Sequence, residues 1–160
     1  MNDNPAGQQM SSEAVEGARG IRIQASCWAA LFVRLSLAAA FLSAVADRFG
    51  LWGTPGAEGV AWGSVENYET YVGILIWYMP TALIPVFGWI ATLAEISIAG
   101  GLIVGWQVRW IALAAGLLLT MFALAMFTAL GPKPPLDYSV LSAASAAFLL
   151  FTVSDSHRTI

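Results

Sequence analysis

From Trp110 to Leu130 the chain runs for 21 residues without one charged side chain. As a helix rising 1.5 Å per residue, that run is about 30 Å long, the thickness of a bilayer's hydrocarbon core. In water it would have to be covered on every side, and the rest of the chain cannot supply the cover. Only 11% of the 160 residues are charged and 58% are hydrophobic. An average soluble domain carries about 25% charged residues. Mean hydropathy is +0.71. The chain therefore reads as an integral membrane protein, and its backbone polar groups can be satisfied inside hydrocarbon by helices.

Three further segments have the same character. The first spans Trp28 to Ala46 and contains one charge, Arg34. The second spans Pro85 to Trp106, with Pro85 in the first turn, where its missing N–H costs nothing, and Glu95 near the centre. The last runs from Asp137 to Val153, a short span that must stand steeply or start among the headgroups. The expected fold is an all-α membrane protein, a four-transmembrane-helix bundle, with residues 25–153 as the transmembrane domain. Residues 1–24 read as a disordered cytoplasmic tail and 154–160 as a short cytoplasmic tail. Ala44-Val45-Ala46 resembles a signal-peptidase site, but the acid-containing leader and Arg34 inside the apolar stretch argue against cleavage.

Residues 47–81 are rich in glycine, acids and aromatic rings, including Trp52, Trp62, Tyr68, Tyr71, Trp77 and Tyr78. Trp and Tyr favour the membrane interface. The apolar run Tyr71–Met79 is too short to cross and stops at Pro80, so an interfacial or re-entrant segment is expected between the first two spans. Arg19, Arg22, Arg109 and Arg158 fall on one side of such a bundle, Arg48 and Lys133 on the other. The arginine-rich side reads as cytoplasmic, with both termini there.

The chain has one cysteine, Cys27, and one histidine, His157. An internal disulfide or a CxxC exchange site needs a pair of thiols. A haem or metal centre needs ligands that these spans do not supply, so no metal is expected. The net charge of −3 offers no basic field for nucleic acid.

Small residues recur at four-residue spacing: Ser36, Ala40 and Ala44; Ser97, Gly101 and Gly105; Ser139, Ala143 and Ala147; and, more briefly, Ala112 and Gly116. In lipid such stripes mark close helix approach. Two charges lie at membrane depth, Arg34 about 9 Å and Glu95 about 16 Å from the cytoplasmic side, within an arginine's reach of each other. They are expected to pair. The pair reads either as a salt bridge fixing helix register or as the lining of a binding site for a polar headgroup. Asp47, Arg48, Lys133, Asp137 and Tyr138 gather on the outer side. Asp47, Asp137 and Tyr138 are candidate ligand-binding residues there, and Asp137 also reads as the N-cap of the last span.

Tyr78-Met79-Pro80 with Ile84-Pro85, Ala94-Glu95 followed by Gly100-Gly101-Leu102-Ile103-Val104-Gly105, Arg109, Phe122-Ala123-Leu124-Ala125-Met126 and Pro135-Leu136-Asp137-Tyr138-Ser139 together resemble the DoxX family. The resemblance covers about residues 28–153. It implies a four-helix protein of the bacterial or archaeal cytoplasmic membrane, related to the small subunit of thiosulfate:quinone oxidoreductase. It also implies a membrane subunit of a redox complex that contacts quinone or a partner oxidoreductase. A non-enzymatic membrane anchor or assembly factor, and a small transporter or proton path built as a homo-oligomer around Glu95, stay open beside it.

Overall fold

The computed structural model describes the backbone of residues 5–156 and, of their side chains, those at 16, 20 and 24–154. The described residues form six α-helices and a 3₁₀ turn: α1 (Pro5–Arg48), α2 (Val65–Leu75), the turn Thr81–Leu83, α3 (Ile84–Val104), α4 (Val108–Leu130), α5 (Lys133–Asp137) and α6 (Val140–Ser156). Three of these stretches are long and apolar enough to cross a membrane: Gln24–Arg48, Thr81–Val104 and Val108–Leu130. The fourth apolar helix, Val140–Ser154, is shorter.

The chain divides into one compact unit through Phe32 and a second from Val33 onward. In the first, α1 begins at Pro5, so the expected irregular tail is helical from there on. Glu13, Ala14, Glu16, Ala18 and Arg19 are strong helix formers, and no proline follows Pro5 until Pro55. His157 and the last residues of the expected C-terminal tail lie outside the described residues.

Gly50 ends α1. It takes φ +72°, Leu51 N donates to Ala46 O and Gly50 N to Asp47 O, both at 3.0 Å. That pair of bonds around a left-handed glycine is a Schellman cap. The buried face of α1 in the second unit is Leu37, Ala38, Phe41, Val45 and Arg48, a helical stripe. Ser36 and Ala40 are exposed, so the expected small-residue stripe of this span is not its packing face. Arg34 lies against Gly105 at the end of α3, and Arg48 against Glu95 nearer its middle, so the two helices run antiparallel.

The tightest packing joins α4 to α6. Ala112, Ala115 and Ala147 are fully buried. A Cβ added to Gly116 would stand 2.8 Å from Cε1 of Phe148, which is why only glycine fits. The third span's stripe, brief in sequence, is thus a seam of the closest helix pair. On α6 the buried positions are Ala144, Ala147 and Leu150, while Ser139 is exposed, so the seam is rotated from the expected Ser139–Ala143–Ala147 line. Gly101 of α3 seats Ile111 of α4 across the tight α3–α4 turn.

The run Tyr71–Met79 is not one helix. Ser64 caps α2, its Oγ accepting from Asn67 N at 3.2 Å, so the helix starts six residues before Tyr71. It ends at Leu75, and Ile76 leaves helical geometry four residues before Pro80, whose ring would clash with a helical carbonyl there; Trp77 and Tyr78 stand exposed in the turn that follows.

Candidate functional site

Arg48 is the last residue of α1, and its guanidinium is enclosed on every side. NH2 donates to Glu95 Oε1 at 2.8 Å and lies 2.7 Å from Oε2; NH1 donates to Thr92 Oγ1 at 2.8 Å. Glu95 and Thr92 stand three residues apart on α3 and so share a face. Thr92 passes its own proton to Gly88 O at 2.8 Å, which orients the hydroxyl to accept from Arg48. The Tyr68 ring lies 3.9 Å from the guanidinium carbon and Trp62 lies 5.4 Å from it, both in cation–π range. Gly88 leaves the space that Tyr68 fills: a Cβ there would touch the ring at 3.4 Å. Arg48 and Glu95 are 3% and 2% exposed.

Asp47, next to Arg48, is also buried. Its Oδ2 accepts from Ala61 N at 3.0 Å and Trp62 N at 2.9 Å, closing the loop after α1 back on the helix end. The loop turns sharply at Gly63 (φ +67°), where a Cβ would come within 2.5 Å of Pro55 N. Trp52 folds down along α1 and donates its indole N–H to Ser43 O at 3.0 Å. Asp47 therefore places Trp62, and Trp62 meets Tyr68 edge-on at 5.2 Å and Tyr71 at a tilt at 5.8 Å between centroids. Burial holds the Tyr68 hydroxyl above its ordinary pKa, with Glu95 adding to the rise and Arg48 opposing it.

These contacts correct the expected pairing. Glu95 is bound to Arg48, not to Arg34. Glu95 lies eleven residues from Ile84 and eleven from Trp106, so its depth alone does not say from which end its partner comes. Arg34 and Arg48 are fourteen residues apart, close to four helical turns, and occupy the same face. Arg34 lies at Gly105, where α3 ends with left-handed geometry and its carbonyls carry the negative end of the helix dipole.

The outer-face group also separates. Asp137 closes α5 and pairs with Lys133, one turn back, at an exposed position. It does not cap α6: Ser139 holds that place, its carbonyl accepting from Ala143 N at 3.0 Å. The two prolines at 134 and 135 start a short helix of their own, which moves the beginning of α6 past Asp137. Tyr138 is 72% exposed, while Asp47 is buried. Of the five residues expected together on the outer side, Asp47 and Arg48 share one cluster and Lys133 and Asp137 another. The sequence points to Trp62 and Tyr68 only as interfacial rings and does not single out Thr92. Each is of ordinary type for an interface or span, and nothing in their local sequence announces a cation.

Compared with family models, with curated proteins and with solved structures, the chain finds no match in any of the three.

Proposed function

We propose that this chain is a DoxX-like, four-span protein of the bacterial or archaeal cytoplasmic membrane that serves as the non-catalytic membrane subunit of a redox complex. The observation that carries the reading is the enclosure of Glu95. The acid placed at mid-span is committed to Arg48, Thr92 braces the same cation, and two aromatic rings seal it. Such a pair sets which helices meet and in what register. An open groove of about 640 Å³ along α3 and α4, lined by Ser97, Gly100, Gly101, Trp106 and Trp110, supports a role in contacting a partner within the bilayer. In this reading α6 is the fourth span, α2 and the turn after it lie at the outer interface, and both termini are cytoplasmic. Reporter fusions at Gly63 and Pro132 then report the outside and a fusion after Ile160 the inside.

A second reading places a quinone carbonyl near Arg48. It is favoured by the Nε of that residue, which is buried and finds no acceptor in the fold. Purification in mild detergent, with mass spectrometry of proteins and extracted quinones, separates the two. The subunit reading expects an oxidoreductase in fixed ratio, retained by the double variant Arg48→Met with Glu95→Met. Quinone retained in fixed ratio, and lost from that variant, supports the second reading. Neither partner nor quinone overturns both.

A further inference from the structure

We propose that the groove between α3 and α4 is the binding site of one anionic phospholipid, with an acyl chain along the groove and the phosphate at Arg109. The groove, about 640 Å³, is apolar in character. Even Ser97 turns its hydroxyl away, donating to Leu93 O at 2.7 Å. At Gly100 the groove is open, with nothing within 4 Å of where a Cβ would stand. On α3 the concave stretch runs from Ser97 to Val104, two turns or about 10 Å. That is about a third of the 30 Å of hydrocarbon. A neighbouring helix packs over several turns, whereas a flexible acyl chain can use so short a hollow.

Charge selects the lipid. The groove ends at Trp106, Gln107 and Trp110, in the turn between two helices long enough to cross a membrane. Trp106 and Trp110 are 70% and 57% exposed there, as rings at a membrane surface are. The Arg109 guanidinium carbon lies 5.3 Å from the Trp110 ring, and Trp110 lines the groove. A second cation stands at the same turn: Arg34 lies against Gly105, and its buried Nε meets no acceptor among the described residues. Glu95 and Asp137 are engaged elsewhere, by Arg48 and Lys133. An apolar groove that ends at a basic turn matches a lipid with apolar chains and a negative phosphate, whose oxygens suit guanidinium donors. The site goes beyond the subunit reading, because the isolated chain carries it whether or not an oxidoreductase binds.

Native mass spectrometry of the full chain in mild detergent tests it, with dioleoyl phosphatidylglycerol and dioleoyl phosphatidylcholine added in turn. The two lipids share their chains and differ in net charge. One phosphatidylglycerol should be retained, about fivefold more tightly than phosphatidylcholine, the factor expected of one arginine beside an anionic headgroup. Arg109→Gln should remove that preference. Gly100→Leu fills the groove from a position with open space around it, so the fold tolerates it, and it should abolish retention of both lipids. Equal retention of the two lipids overturns the proposal, as does retention unchanged in Gly100→Leu or a preference unchanged in Arg109→Gln. A lipid-free dimer that Gly100→Leu dissociates would give the groove to a second copy and overturn it too. The inference rests on α3 and α4 crossing a bilayer; a chain that stays in solution without detergent would fail that reading before any lipid is added.

Discussion

Arg48 and Glu95, 47 residues apart in sequence, meet at 2.7 Å with both side chains almost fully buried. Removing one partner leaves the other charge stranded, while replacing both with apolar groups removes the charge problem altogether. Arg48→Met is expected to destabilise the protein by about 3–5 kcal/mol. Glu95→Gln keeps an acceptor for Arg48 and should cost less. The double change Arg48→Met with Glu95→Met should recover much of the loss. In the same thermal-unfolding cycle Arg34→Met and Glu95→Gln should be additive, because Arg34 lies at Gly105. Coupling between Arg34 and Glu95 with none between Arg48 and Glu95 would contradict the structure.

Three glycines on neighbouring helices should respond differently to one methyl group. At Gly116 the new Cβ meets the Phe148 ring, so Gly116→Ala is expected to cost about 1–3 kcal/mol. At Gly101 it meets the flexible end of Ile111, and the loss should be smaller. At Gly100 nothing lies within 4 Å, so Gly100→Ala should be neutral or stabilising in the isolated protein. Thermal shifts of the three variants in one detergent test the order.

Asp47→Ala removes the acceptor for two backbone N–H groups, at Ala61 and Trp62. Amide exchange at those two positions should accelerate by an order of magnitude or more, since a hydrogen bond to a charged acceptor is worth about 1.5–3 kcal/mol. Asp47→Asn retains an oxygen and should show a smaller change. Equal exchange in all three proteins would mean that the loop is held by something else.

Burial raises the pKa of Tyr68 above the ordinary 10.0, and it raises Tyr71 likewise, with Tyr138 contributing to the latter. Below pH 10.0 the phenol of Tyr68 is neutral in both folded and unfolded chains, and its contribution to stability is intact. As pH rises past that value the unfolded chain ionises first, so stability falls until the folded pKa is passed. Ultraviolet titration should show a late phenol ionisation whose amplitude Tyr68→Phe reduces. An unchanged late amplitude in that variant would contradict the burial of Tyr68.

Much of the helical architecture was legible because hydrophobic runs and proline and glycine stops act locally. Pro85 and Gly105 bracket α3 as their chemistry requires, and Gly131 follows α4. The cluster around Arg48 was less so. Which of two arginines on one face reaches Glu95 depends on how α1 slides along α3, and that offset is a matter of tertiary packing rather than of local sequence. The pattern of small residues gave the close approach of α4 but not its partner face on α6, because a stripe of alanines is nearly the same from several angles. The helix at Lys133–Asp137 is hidden by its prolines, which interrupt a helix from within but also fit its first turn.

The 47-residue separation of Arg48 from Glu95 also has a consequence in time. A chain made at about 5–20 residues per second leaves Arg48 waiting roughly 2–9 s for its carboxylate. During that interval α1 has emerged with an uncompensated cation at its end and no third helix to meet it. The charge on Arg48 is thus neutralised only once α3, a helix made later, arrives, so the contact that joins α1 to α3 is ordered in time by the sequence itself.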